Sequence, residues 1–124
     1  MKPIVVIDDD ADVRDVFIFA LENEGHRIIS YENGRIAYDA LTKMTQEELP
    51  CLIIVDYLMP EMNGAVFIQK IKSEHADTLG KIPIAITSAM GSFDPILQET
   101  PEVVQLHKPI ELDELLQVVK RLCA

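Results

Sequence analysis

The chain has 124 residues, 48% of them hydrophobic and 26% charged, with a formal net charge of -10 at pH 7. That length suits one domain with a single core, residues 1–124, and the acidity argues against direct binding to nucleic acid or an anionic membrane, both of which would repel it. No apolar run approaches a membrane span and no charged, apolar, small-residue series resembles a signal peptide, so a cytoplasmic chain is expected.

Ile4-Val5-Val6-Ile7 is an aliphatic run ending in Asp8-Asp9-Asp10 and reads as a buried first strand. Val13, Val16, Phe17, Ala20 and Leu21 then recur at the spacing of an amphipathic helix, which Gly25 can end in a left-handed conformation. His26 to Tyr31 reads as a second strand. Asn33-Gly34 leads into a helix with Ala37, Ala40, Leu41 and Met44 on its apolar face, followed by a polar tail from Thr45 to Leu49 that ends at Pro50. Leu52 to Val55 runs straight into Asp56 and then turns through Pro60 and Asn63-Gly64, the pattern of a strand buried on both faces. Phe67, Ile68 and Ile71 mark a third helix that fades into a polar loop from Ser73 to Lys81. Pro83 opens Ile84 to Ser88, a fourth strand ending in hydroxyls. The stretch from Met90 to Glu102 carries Gly91, Pro95 and Pro101 and allows only a short helix, from Asp94 to Thr100 with Pro95 at its first position. Val103 to His107 is a fifth strand, broken by Lys108-Pro109. Leu112, Leu115, Leu116, Val119 and Leu122 give a final amphipathic helix.

Strands alternating with helices imply a parallel sheet covered on both faces, an α/β fold of the doubly wound (βα)5 kind, with all strand C-termini on one edge. Ligands bind beyond that edge in open α/β sheets. Asp8, Asp9 and Asp10, Asp56, Ser88 and Lys108 all meet there. Clustered carboxylates stay ionised only if something compensates, and oxygen-only ligands with room for waters and a phosphate suit Mg²⁺. Together with Lys108 and the Ser88 hydroxyl, such a cation would neutralise the oxygens of a phosphoryl group in transfer. A carboxylate can itself be the nucleophile, and Asp56 is the central candidate. Cys51 and Cys123 show no metal-ligand spacing and are expected to be lone cysteines without a role. His26, His75 and His107 likewise lack ligand spacing, and Met59 and Met62, Tyr31, Phe17 and Phe67 read as packing residues.

The acidic pair Asp8-Asp9 after strand one, Asp56 followed by Met59-Pro60 and Asn63-Gly64, a hydroxyl ending strand four, and Lys108-Pro109 together resemble the receiver domain of the two-component response regulators, along essentially the whole chain. The resemblance implies a CheY-like, flavodoxin-like fold, a five-stranded parallel sheet in the order 2-1-3-4-5. It implies phosphoryl transfer from a histidine kinase or histidine phosphotransfer protein to Asp56, and a phosphorelay signal read by an output protein or domain. It assigns Asp9, Asp56 and the backbone carbonyl of Leu58 as direct ligands of Mg²⁺, or of Mn²⁺ in its place, with Asp8 acting mainly through water. Ser88 and Lys108 would bind phosphoryl oxygens, Ser88 being favoured over Thr87 by its count from Pro83, and Lys108-Pro109 would be a cis peptide. Asp10 matches no such role and is a candidate cap for the first helix.

Two departures bear on output. Gln105 stands where the family usually has a Tyr or Phe that swings inward, and the stretch between Ser88 and Lys108 is broken by prolines, so the fourth helix is expected to be reduced or mobile. Leu58 and Met90, two residues after Asp56 and Ser88, are apolar where a polar side chain could orient attacking water, so an aspartyl phosphate is expected to be comparatively long-lived. Three other readings compete. A haloacid-dehalogenase-type phosphatase wants a second Asp where Leu58 stands. A flavodoxin-like cofactor carrier wants hydroxyls and NH groups where Asp8-Asp9-Asp10 stand. A receiver-like interaction domain that never takes phosphate would have lost its acids or its lysine. The expected module is thus a signalling domain rather than an enzyme acting on an external substrate.

Overall fold

Runs of β-branched and aliphatic residues supply most of the strands of the computed structural model, which describes residues 2–89 and 94–123. The strands are β1 (Ile4–Ile7), β2 (Ile28–Tyr31), β3 (Leu52–Asp56), β4 (Ile84–Ser88) and β5 (Val104–His107). They form one parallel sheet in the order β2-β1-β3-β4-β5. The helices between and after them are α1 (Ala11–Asn23), α2 (Gly34–Thr42), α3 (Gly64–Glu74), α4 (Pro95–Gln98) and α5 (Leu112–Leu122).

Side chains alternate across a strand, and the sheet uses both faces. Val5, Ile7, Ile53, Val55, Ile84 and Ile86 face a layer built from Ala37 and Leu41 of α2, Phe67, Ile68 and Ile71 of α3, and Leu97 of α4. Ile4, Val6, Leu52, Ile54, Ala85 and Leu106 face the other way, beneath Phe17 and Leu21 of α1 and Leu115, Val118 and Val119 of α5. Burying each such aliphatic side chain contributes about 1.5–3 kcal/mol before conformational entropy is counted. Level register follows: Ile7 pairs with Val55, Asp56 with Thr87 and Ser88 with His107, so the strand ends form one edge.

Side-chain caps start the helices where they start. Asp10 Oδ1 accepts from the N–H groups of Asp12 and Val13 at 2.9 and 3.4 Å. Asn33 Oδ1 accepts from Ile36 N–H at 2.8 Å, and Asn63 Oδ1 from Val66 N–H at 2.9 Å. Each bond satisfies a donor that the first turn leaves open. Gly25, at φ +89°, ends α1 in a left-handed conformation.

Several sequence expectations are adjusted by packing. Val16 is 67% exposed although it shares the apolar spacing of α1, because the sheet covers only the stripe containing Phe17 and Leu21. Leu112 is likewise half exposed at the start of α5. β2 begins at Ile28 rather than His26. The supposedly polar tail holds a short 3-10 turn, Gln46–Glu48, in which Glu48 Oε1 accepts from Thr45 N–H at 2.8 Å, a bond that holds the Glu48 carboxyl below its ordinary pKa. Leu49 after that turn and Leu79 in the loop before β4 are buried, so neither segment is wholly polar. Cys51 and Cys123 are not lone cysteines but are joined as a disulfide. Their sequence separation of 72 hid the pairing, which only the return of α5 along the sheet creates.

Gly64 is required by space. A Cβ there would come within 2.5 Å of the Asp56 carbonyl oxygen and 3.0 Å of Ile86 Cδ1. Gly64→Ala is therefore expected to destabilise the fold by about 1–3 kcal/mol. A urea unfolding midpoint equal to that of the wild type would contradict this.

Candidate functional site

The C-terminal edge of the sheet gathers residues that are far apart in sequence. Asp56 closes β3 and is 5% exposed, while Asp8 follows β1 and is 1% exposed. Asp9, the next residue, is exposed. One carboxylate oxygen from each of Asp8, Asp9 and Asp56 lies within 4.8 Å of the others. Lys108, just after β5, reaches in from the far side, its Nζ 3.1 Å from Asp56 Oδ1 and 3.3 Å from Asp8 Oδ2. Asp8, Asp9, Asp10, Asp56, Leu58, Met59, Pro60, Ala89 and Lys108 line an open cleft of about 520 Å³.

Local hydrogen bonds set this geometry. Asp8 Oδ1 accepts from Asp10 N–H at 2.9 Å, and the Arg14 guanidinium donates to the Asp8 carbonyl at 2.6 Å, tying α1 to the end of β1. Tyr57 N–H donates to the Thr87 carbonyl at 2.8 Å and Gly64 N–H to the Tyr57 carbonyl at 2.8 Å, which pins the chain beyond Asp56. Lys108 N–H donates to the Ser88 carbonyl at 2.8 Å, and the Lys108–Pro109 peptide is cis.

Charge is out of balance here. Burial, followed by repulsion from Asp8, raises the Asp56 pKa above the ordinary carboxylate value, against the opposing influence of Lys108 and the Thr87 hydroxyl. Burial alone would depress the Lys108 pKa, but the hydrogen bonds and charges of Asp56 and Asp8 outweigh it and the net shift is upward. Lys108 is thus a persistent cation facing more negative charge than it offsets. The unbalanced carboxylate oxygens and the open cleft fit a hard divalent cation. Among the described residues, Asp8, Asp9 and Asp56 are placed to hold it, and Leu58 borders the same cleft.

The residues singled out from sequence stand as follows. Asp8, Asp9, Asp56 and Lys108 converge, and Leu58 lies alongside with its side chain 76% exposed. Ser88 ends β4 and is half-buried at the same edge. Thr87 also belongs to the site, because its buried hydroxyl donates to Asp56 Oδ1 at 3.3 Å. The β3–β4 register, which pairs Thr87 with Asp56, brings that hydroxyl beside the carboxylate. Asp10 is turned to capping. Gln105 is exposed on β5, and Met90 lies outside the described residues. Sequence reasoning missed Arg14 and Tyr57. The Tyr57 hydroxyl donates to Asp94 Oδ2 at 2.6 Å, a bond that first of all raises the Tyr57 pKa, and Asp94 is the N-cap of α4. Nothing in the local pattern marks that pair, since 37 residues separate its members.

Residues 4–120 match the family model for the response regulator receiver domain. The chain is 30% identical over 122 residues to the response regulator receiver protein CpdR of Brucella abortus, covering 98% of this chain and 97% of that one. It is also 30% identical over 118 residues to the DNA-binding transcriptional regulator NtrC of Escherichia coli, where it spans 94% of this chain but only 24% of the relative's length. Among solved structures, the response regulator TrrA of Thermotoga maritima, in complex with Mg(2+)-BeF, superposes with a TM-score of 0.81 at 26% identity, covering 98% of this chain and 99% of that one.

A raised carboxylate pKa means that the folded state binds the Asp56 proton more readily than the unfolded state does. Its contribution therefore favours folding as pH falls toward the folded pKa, and at neutral pH the ionised group is a cost. Asp56→Asn is expected to raise metal-free stability at pH 7 by about 1 kcal/mol, the ordinary scale of a single substitution. Added Mg²⁺ is expected to raise the wild-type melting midpoint through preferential binding to the folded state and to leave the variant's nearly unchanged. Thermal melts of both proteins with and without MgCl2 check this, and a variant less stable than the metal-free wild type would contradict it.

Proposed function

The chain belongs to the response regulator receiver domain family of two-component signal transduction, and on that premise we propose that Asp56 is the residue that accepts the phosphoryl group. The observation that carries the reading is the convergence of Asp8, Asp9 and Asp56 oxygens within 4.8 Å of one another, with Lys108 Nζ 3.1 Å from Asp56. The donor is a histidine kinase or a histidine phosphotransfer protein. The receiver of the signal is an output protein or domain, and residues 1–124 carry the receiver domain. The compartment is the cytoplasm, in keeping with the absence, among the described residues, of any helix long and apolar enough to cross a membrane.

Asp56 attacks as the carboxylate. The phosphorus–nitrogen bond of the donor phosphohistidine breaks as an oxygen–phosphorus bond forms at Asp56, leaving an acyl phosphate and the free imidazole. Lys108 holds its positive charge beside Asp56 throughout and moves with the transferred phosphoryl oxygens, an electrostatic role that needs no proton transfer. Ser88 supplies a hydroxyl to the same oxygens, and the Thr87 hydroxyl orients the Asp56 carboxylate before attack. Asp9, Asp56 and the Leu58 carbonyl would hold Mg²⁺, or Mn²⁺ in its place, with Asp8 acting through water; the bound cation supplies the positive charge that Lys108 alone lacks. The chain turns over no external substrate: it changes state and is read.

Intact acids and an intact lysine speak against a receiver-like domain that never takes phosphate. An exposed Leu58 in place of a second aspartate speaks against a hydrolytic phosphatase.

Incubation with Mg²⁺ and a small acyl phosphate is expected to add one phosphoryl group by intact mass to the wild type, and none to Asp56→Asn or to wild type in excess chelator. Failure of the wild type with both that donor and a cognate kinase would overturn the assignment. Because apolar Leu58 borders the cleft and offers no polar group to orient water, Leu58→Asn combined with Met90→Glu is expected to shorten the acyl phosphate lifetime by roughly tenfold or more. An unchanged or longer half-life would refute that account.

A further inference from the structure

At the other end of β3 from Asp56, two residues remain that the phosphoryl reading does not use. Cys51 directly precedes β3 and Cys123 directly follows α5. Their Cα atoms are 5.3 Å apart, within the range that a disulfide bridges without moving the backbone. Secondary structure fixes that approach from both sides: Cys51 N–H donates to the Pro3 carbonyl at 2.9 Å, and Cys123 N–H to the Val119 carbonyl at 2.8 Å. Both side chains are half-buried against the layer formed by α1 and α5. Cys123 also lines an open cleft of about 570 Å³ with Glu24, His26, Asp113, Gln117 and Lys120, which places it next to solvent.

We propose that Cys51 and Cys123 form a reversible redox modification site, closed by a small-molecule disulfide of the glutathione class and opened by the corresponding thiol. The Cys123 thiolate attacks one sulfur of the reagent, forming a mixed disulfide and releasing one reagent thiol. The Cys51 thiolate then attacks the Cys123 sulfur and expels the second. Two protein thiols and one reagent disulfide become one protein disulfide and two reagent thiols, with two electrons passing from protein to reagent. In the reducing compartment proposed for this chain such a bond is transient, so its closure reports an oxidising shift.

The bond acts as a clamp. α5 joins the sheet at its N-terminal end through Lys108 and Pro109, whereas among the described residues packing by Leu115, Val118 and Val119 holds it down. Closing the bridge fastens the C-terminal end of α5 to the start of β3 and closes a loop across 72 residues of sequence. Asp56 is at the opposite end of the same strand, so the clamp changes the hold on α5 without entering the phosphoryl cleft.

The whole chain and its Cys51→Ser and Cys123→Ser variants would be treated with oxidised and then reduced glutathione, and followed by intact mass and thermal melts. Oxidised wild type is expected to lose two hydrogens and carry no adduct, to form no bond between molecules, and to regain both hydrogens on reduction. Each single variant is expected to stop at a glutathione adduct. The oxidised wild type should melt higher than the reduced form by on the order of 10 °C, an increment set by closure of a long loop, while the variants should show no comparable rise. Persistent adducts on the wild type, or a bond formed only between molecules, would overturn the pairing. Equal midpoints for its two forms would overturn the clamp. Should the variants fail to fold, differential alkylation of the wild type before and after oxidation reads the same pairing.

Discussion

Too many carboxylates share one lysine at the edge of this sheet, and the remainder of the structure is arranged around that imbalance. Lys108 Nζ lies 3.1 Å from Asp56 and 3.3 Å from Asp8, while Asp9 adds a third carboxylate to the cluster. In water such charges would be screened, but Asp8 and Asp56 are buried and pay for desolvation as well as repulsion. Burial first, and then the Asp8 charge, push the Asp56 pKa upward despite Lys108. A fold would not hold that arrangement for stability alone. It is intelligible when the deficit is met by a cation and the charge is then spread over a phosphoryl group.

The scaffold keeps this costly cluster from relaxing. Parallel register levels the strand ends, so a carboxylate after β1, one ending β3 and a lysine after β5 cannot slide apart without breaking ladders on both sides of β1, β3 and β4. Shifting a buried strand by one residue would exchange its two apolar faces and misplace every side chain in both layers. The loops add local fasteners. Arg14 grips the Asp8 carbonyl, Gly64 lets α3 start against the Asp56 backbone, and the Ser88 carbonyl receives the Lys108 N–H.

Much of this was legible in the chain because its signals are local. Aliphatic runs ending in acid, hydroxyl or lysine mark the strands and their functional ends together, and the alternation with helical spacing yields the parallel order of elements. The cap at Asp10 and the short proline-led helix after Asp94 follow from residue type in place. What escaped depends on the third dimension. Val16 has the right spacing for burial, but the sheet covers a narrower stripe than the sequence offers. Leu49 and Leu79 lie in polar surroundings in sequence and apolar ones in space. The Thr87 hydroxyl meets Asp56 only through cross-strand register, and Cys51 meets Cys123 only because α5 returns along the sheet to the start of β3.

The same distinction bears on how the state of Asp56 reaches the surface. With Gln105 exposed on β5, no aromatic ring at that position can exchange a buried for an exposed orientation. One contact that leaves the site among the described residues is Tyr57, the residue after Asp56, whose hydroxyl meets the carboxylate that caps α4 at 2.6 Å. Its main-chain N–H and carbonyl are held by Thr87 and Gly64, so its freedom lies in the side chain. A hydrogen bond to a charged group contributes about 1.5–3 kcal/mol, and α4 has only four residues whose own helical bonds compete with it. A helix that short derives little stability from its backbone. Its position therefore depends on the burial of Leu97 and on the Asp94 cap, and the cap is the part that touches the chain at Asp56.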